Sequence, residues 1–398
     1  MLDADNLKPD PPSDTQQGTT IPQRPGARFA GRVNFDTSPL IVFYEITKAC
    51  DLVCLHCRAC AQATADPNEL STAQSKAMID QLATFPEPPL LVISGGDPLK
   101  RADVFELIEH AVDRNLETAI TPSPTPLVTT EAIQRLKRAG IARMAVSIDG
   151  ADAETHDRMR GVRGSFEQTQ RMMADALGCG IPVQVNTTLN PSSYDQLEAI
   201  AEMLDRHRIV LWSLFLIIPV GRATEAMRMT GEQYEAAFER LWALSKKHAF
   251  AIKTTEGMHY RRFVLQRRKE ESTPATTRQS ARGEWAHGFP GVNDGRGVMF
   301  VSHSGMVYPS GFLPMLCGVF PFNSVVEVYQ KSPIFRRLRN ADSFEGKCGV
   351  CEYRHLCGGS RARAYAVTGD PYASEPDCVY VPPRWEHFVD GNPAPHSP

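Results

Sequence analysis

With 398 residues, 42% hydrophobic and 22% charged side chains, the chain is ordinary globular material with enough apolar content for a sizeable core, and its length predicts about two or three structural units. A formal charge of −3 gives no sign of a nucleic-acid surface. No apolar run reaches the roughly 18 residues of a membrane span, the best candidate being 209–220, and the N-terminus lacks a charged-then-apolar leader; the expected location is the cytoplasm, with no membrane and no nucleic-acid partner.

Residues 1–38 are rich in Pro, Gly, Asp and Thr without apolar periodicity, which predicts a flexible arm. From Leu40 onward short apolar runs alternate with amphipathic stretches. Strands are expected at 40–45, 90–94, 117–121, 143–148, 183–188 and 210–217. Helices are expected between them at 72–85, opened by the capping pair Ser71 and Gln74, and at 104–114, 131–139, 166–177 and 194–206. Strand and helix alternating in this way predict an α/β fold with a parallel sheet, open or curved into a partial barrel. Ligands of such sheets bind at the C-terminal strand ends. The core is placed at 39–225 and a helical, charged bridging segment at 226–296. Within the latter lie a polar helix near 231–248, a short apolar piece at 249–255 and a charged stretch at 261–282. Short strands, Gly, Pro and Cys predict a small metal-stapled domain at 297–383, followed by a tail at 384–398.

Ten cysteines in a reducing compartment need an explanation other than disulfides. Four fall within 50–60 and four within 348–378, a grouping that reads as metal or iron–sulfur ligation. Cys50, Cys54 and Cys57 follow the first strand directly, and three thiolates at this spacing can hold a 4Fe–4S cube while leaving one iron open. A zinc knuckle completed by His56 or Cys60 is the competing reading of the same residues.

The segment Cys50-x-x-x-Cys54-x-x-Cys57 resembles the signature of the radical S-adenosylmethionine (radical SAM) superfamily, and the resemblance extends from Leu40 to Arg222. Ser94-Gly95-Gly96-Asp97-Pro98 is similar to that family's Gly-Gly-Glu-Pro motif, which holds the methionine amino group; Asp97 replaces the usual Glu. Ser147-Ile-Asp149-Gly150 and Arg160 resemble segments near the ribose and the methionine carboxylate. Thr121, Ser123, Asn186 and Thr188 fall where ribose and adenine contacts are expected. Alone, each of these motifs is an ordinary turn or strand exit. Their order, one near the end of each of the first five strands, is what carries weight. The resemblance implies a partial (β/α)6 TIM-like barrel, a 4Fe–4S cluster with S-adenosyl-L-methionine, and an electron donor of flavodoxin or ferredoxin type. Reductive cleavage would yield a 5′-deoxyadenosyl radical that takes hydrogen from the substrate.

Cys348-x-x-Cys351-x5-Cys357, with Cys378 beyond, resembles the SPASM or twitch auxiliary domain of radical enzymes. That family expects further cysteines where Arg361 and Ser310 stand, so one auxiliary 4Fe–4S cluster is implied, with a closed zinc site as the alternative. Cys60 and Cys317 fit no ligand position. Segments around 253–262, 307–312 and 357–365 look closest to the haem-biosynthesis and denitrifier-haem branch, in which a tetrapyrrole propionate side chain is oxidatively decarboxylated. His259, Tyr260, Arg261, Arg361 and Arg363 are then candidates for the substrate carboxylates, which guanidinium groups bind bidentately. Maturation of a ribosomally made peptide and a non-enzymatic iron–sulfur or zinc module are the other readings.

Overall fold

The computed structural model describes residues 33–271 and 291–385. Its strands β1 (Ile41–Glu45), β2 (Leu90–Ser94), β3 (Thr118–Ile120), β4 (Arg143–Ser147), β5 (Val183–Leu189), β6 (Leu211–Leu216) and β7 (Ala251–Thr255) pair in chain order, each parallel to the next. Helices fill every gap, among them Thr72–Leu82, Val104–Asp113, Thr130–Arg138, Ser165–Gly178 and Leu197–His207. The first of these opens with the expected capping box. The Ser71 side chain accepts from the Gln74 amide at 3.3 Å, and the Gln74 side chain accepts from the Ser71 amide at 2.9 Å.

The pleat sorts side chains onto two faces. Val42, Ile93, Ile120, Val146, Val185 and Leu214 are fully buried beneath the helices, each contributing about 1.5–3 kcal/mol of burial free energy. On the opposite, inner face, Phe43, Ser147, Gln184, Asn186 and Lys253 are half-buried.

Two expectations about organisation change. Residues 249–255, read as a piece of a bridging segment, instead supply β7, paired with β6 from Leu211↔Ala251 to Phe215↔Thr255. Lys253 at its centre interrupts the apolar run and masks the strand. The boundary at 297 does not interrupt the sheet either. Strand β8 (Val298–Val301) lies parallel against the free edge of β1, and β9 (Met306–Tyr308) and β10 (Gly318–Val319) extend it antiparallel. The ten-stranded order β10-β9-β8-β1-β2-β3-β4-β5-β6-β7 stays open, a partial barrel with one more βα unit than expected. The described residues belong to one compact unit, in which Ile218, Leu313, Leu338, Phe344 and Ala362 build a second small core.

Of the arm expected at 1–38 only residues 33–38 are described. They are pinned by the Tyr329 hydroxyl donating to the Phe35 carbonyl at 2.8 Å and Gln330 donating to that of Thr37 at 2.9 Å. Of the expected tail, residues 386–398 lie outside the described residues, as does the end of the charged stretch, whose described part is the helix His259–Glu271. No helix among the described residues is long and apolar enough to cross a membrane.

Candidate active site

The chain leaves the C-terminal end of β1 into a loop that turns back through an Ala49–Gln62 bridge. Within it Cys50, Cys54 and Cys57 gather in an apolar cluster with Leu52, Ala61 and Val162. Amide N–H groups already address two of the sulfurs, Leu52 to Cys50 and Ala61 to Cys57, both at 3.4 Å. Ser123 Oγ stands 3.5 Å from the Cys50 sulfur, and Arg160 Nη1 donates to that of Cys54 at 3.9 Å. Burial pushes the Cys50 and Cys54 thiols up, and Arg160 opposes the rise at Cys54. Cys60 is exposed, outside this group.

Other loops hold this one by close backbone approach. A Cβ on Gly96 would meet the Ala49 carbonyl oxygen at 2.4 Å. On Gly221, at φ +66°, it would meet the carbonyl oxygens of Cys57 and Arg58 at 2.4 Å. Arg222 adds its backbone N–H to the Cys57 carbonyl at 3.0 Å and its Nε to that of Cys54 at 2.8 Å. Arg222 was missed in the sequence, where a basic residue after a glycine carries no distinctive signal.

The glycines expected to approach a ligand thus first approach the protein's own loop. The Gly96 and Asp97 amides donate to the Thr47 and Ala49 carbonyls at 2.8 and 2.6 Å. The Asp97 carboxylate is buried and accepts from Thr125 Oγ1 at 2.7 Å, Leu99 N at 3.2 Å and Ser123 N at 3.3 Å, clamping the exits of β2 and β3 together. Pro98 begins the short turn that follows. Thr121 Oγ1 donates to Ser94 Oγ at 3.0 Å on the inner face.

Asp149, at the exit of β4, is the other hub. It accepts from the Thr188 amide at 2.7 Å and pairs with Arg160 Nη2 at 2.7 Å, a contact close in distance but off hydrogen-bond alignment. His56 lies 3.6 Å from the same oxygen; burial lowers it to about 4, so its ring is neutral. A cavity of about 250 Å³ opens beside Asp149, walled by Leu55, Met159, Asn190 and Met227. Ser147 and Asn186 are register partners on the inner face.

Glu45, the last residue of β1, receives Arg58 at 2.6 Å and His303 at 2.9 Å. Burial alone would raise its carboxyl, but these two partners hold it below its usual range. Arg58 also reaches the Gly311 carbonyl at 3.3 Å and sits 4.6 Å over the Phe300 ring, so the cluster loop is tied to the C-terminal region.

In that region Cys348, Cys351, Cys357 and Cys378 line one cavity, together with His259 and Arg262. Burial pushes Cys351 and Cys378 up to about 11 and Cys357 further still. Amides of Glu375 and Gly359 donate to the Cys348 and Cys357 sulfurs at 3.3 and 3.4 Å. Among the described residues no three Cys, His, Asp or Glu side chains converge as one ion with bonds near ~2.3 Å would need.

The structure corrects most of the expected carboxylate ligands. Arg361 is fully buried, donating to the carbonyls of Ala373 at 2.7 Å and Pro371 at 3.1 Å and to the Cys348 sulfur at 3.6 Å. Arg363, equally buried, pairs with Glu375 at 2.9 Å and Asp377 at 3.0 Å and donates to the Ile217 carbonyl. Both tie the C-terminal strap to the core, with no exposed surface to offer a carboxylate. His259 and Tyr260 are buried against Phe238, at ring separations of 4.9 and 5.1 Å. Burial takes His259 down to about 3. Arg261 alone of the five stays half-buried, donating to the Val292 carbonyl at 2.7 Å.

Residues 44–204 match the family model described as the radical SAM superfamily. The chain is 39% identical over 355 residues to the AdoMet-dependent heme synthase of Nitratidesulfovibrio vulgaris, covering 88% of this chain and 95% of the relative. It is 29% identical over 351 residues to the mycofactocin maturase of Mycobacterium tuberculosis, covering 86% of this chain and 83% of the relative. The crystal structure of Streptococcus suis SuiB bound to S-adenosylmethionine shares the fold, with a TM-score of 0.66 at 16% identity over 86% of this chain and 78% of that one. Three gathered thiols on the loop after the first strand of an open parallel sheet, and this extended likeness, lead to one conclusion: the chain belongs to the radical SAM superfamily.

Proposed function

We propose that this enzyme acts in haem biosynthesis: a hydrogen atom is taken from a propionate side chain of a tetrapyrrole, and the side-chain radical loses carbon dioxide and gives one electron to an iron–sulfur-type acceptor, leaving a vinyl group. The observation that carries the reading is the 39% identity, over nearly the whole length of both chains, to a relative named a heme synthase. The lower identity to the mycofactocin maturase leaves a ribosomal peptide as the second reading.

Membership of the family implies a 4Fe–4S cluster and S-adenosylmethionine, and Cys50, Cys54 and Cys57 fit the cluster. When bound, these two supply reductive cleavage of the sulfonium and a 5′-deoxyadenosyl radical. The protein's own residues do the rest. Asp97 and Asp149 lock the exits of β2, β3, β4 and β5 around the cysteine loop. Arg160 places positive charge beside the Cys54 sulfur. Ser94, Thr121, Ser147, Asn186 and Thr188 offer hydrogen-bonding groups at the strand ends to the adenosyl and methionyl parts. The Cys348, Cys351, Cys357 and Cys378 set would hold one auxiliary 4Fe–4S cluster. A flavodoxin or ferredoxin would bring the electron, in the reducing cytoplasm that suits ten unpaired thiols.

The test is anaerobic reconstitution with iron and sulfide, then reduction with S-adenosylmethionine and an iron coproporphyrin. Wild type should release 5′-deoxyadenosine and convert propionates to vinyl groups by mass spectrometry, and Cys54→Ala should do neither. Deoxyadenosine without any change in the porphyrin would overturn the substrate and turn the search to peptides.

A further inference from the structure

The inner face of the sheet carries two cations, Arg143 and Lys253, that have no counter-charge among the described residues. Ser147, Asn186, Ser213 and Lys253 are successive register partners across β4 to β7, so they project from one face. Arg143 lies on that face too, four residues before Ser147 on β4. Among the described residues Lys253 has no ion pair and no hydrogen-bond partner. Arg143 donates only Nη1, to Gln184 Oε1 at 3.2 Å, and its Nε is buried without a partner. Glu117, the acid nearest to it in effect, is beyond ion-pair distance. Burial takes Lys253 down to about 8, and the positive charges of Arg143 and Arg261 push it in the same direction. Half-buried cations without a counter-charge cost a fold free energy, and a fold that keeps them has a use for positive charge there.

We propose that Lys253 and Arg143 form a carboxylate clamp on the inner face of the barrel that anchors the substrate's propionates. This rests on the tetrapyrrole reading and deepens it by naming residues that replace Arg361 and Arg363. Arg143 opens β4 and Lys253 sits at the middle of β7, whereas the cysteine loop leaves from the far end of β1. The clamp therefore holds propionates deep in the sheet and leaves another side chain of the same ring at the cluster end. A planar guanidinium accepts a carboxylate in bidentate fashion, and the ammonium serves as a compact point charge beside it.

The test titrates an iron coproporphyrin and its methyl ester into the reconstituted full chain, following the absorbance of the ring. Wild type is compared with Lys253→Met, Arg143→Met and Lys253→Arg. The free acid should bind wild type and Lys253→Arg similarly and each Met variant about tenfold to a hundredfold more weakly, as expected for loss of one hydrogen bond between charged groups. The ester should not distinguish the four proteins. Lys253→Met should melt at or above wild type, because it removes a half-buried charge that has no ion-pair partner among the described residues. Equal affinity of the free acid for wild type and the Met variants would overturn the clamp while leaving the tetrapyrrole reading intact, and so would a Lys253→Met protein that melts well below wild type. Wild type that binds no free acid would overturn both.

Discussion

The two cysteine sites are built by opposite strategies. The first draws its three thiols from eight consecutive residues and borrows its rigidity from elsewhere: Gly96, Gly161 and Gly221 press on the loop from three other connections, with Arg222 bonded across it. The second draws its four thiols from a span of 31 residues, Cys348 to Cys378, and fixes them with buried charge, chiefly Arg361 and Arg363 beneath the strap. Short-range ligands need only a loop of the right shape, whereas ligands far apart in sequence must be brought together by the fold. The difference explains why arginines that suggested substrate binding proved to be structural. They stand where a long strap has to be held to a core.

That contrast can be broken or sharpened. The largest effect is expected from Cys357→Ala. If the second site holds its own cluster, iron should fall from about eight to about four per chain, with the signal of the first cluster retained in electron paramagnetic resonance. Loss of all iron would mean that the two sites do not form independently. Arg363→Met comes next. It leaves Glu375 buried without its cation, while Asp377 keeps Arg228 at 3.0 Å; loss of the buried pair costs about 3–5 kcal/mol, and the melting temperature of the iron-free chain reports it. A melting curve unchanged by this substitution would contradict the charge-fixed strap. Smallest is Gly221→Ala, whose Cβ collides with the Cys57 and Arg58 carbonyls. Strain and displacement should cost about 1–3 kcal/mol and speed loss of iron from the first site under chelation, leaving the second unaffected. Equal chelation rates in variant and wild type would show that the loop does not depend on its neighbours.

Much of the site was legible because its signals are local. The cysteine spacing, the Gly-Gly-Asp-Pro exit of β2 and the Ser-Ile-Asp-Gly exit of β4 are each contiguous, and each falls at a strand end. What escaped was non-local. Glu45, Arg58 and His303 form one charged contact from residues 13 to 258 positions apart, and no window of sequence contains it. Strand β7 escaped for a different reason: Lys253 faces inward, so a strand buried on one side only was read as a fragment.

By itself the sequence determined the βα alternation, the loop that carries Cys50, Cys54 and Cys57, and the existence of a second four-cysteine group. Periodicity and short-range spacing are properties of contiguous residues. Only the tertiary structure decided that β8 completes the edge of β1, that Asp97 and Asp149 clamp neighbouring strand exits, and which arginines face one another, a neighbour's carboxylate or open space. The fate of a charge depends on what the fold packs around it, and a buried guanidinium and an exposed one are written with the same letter.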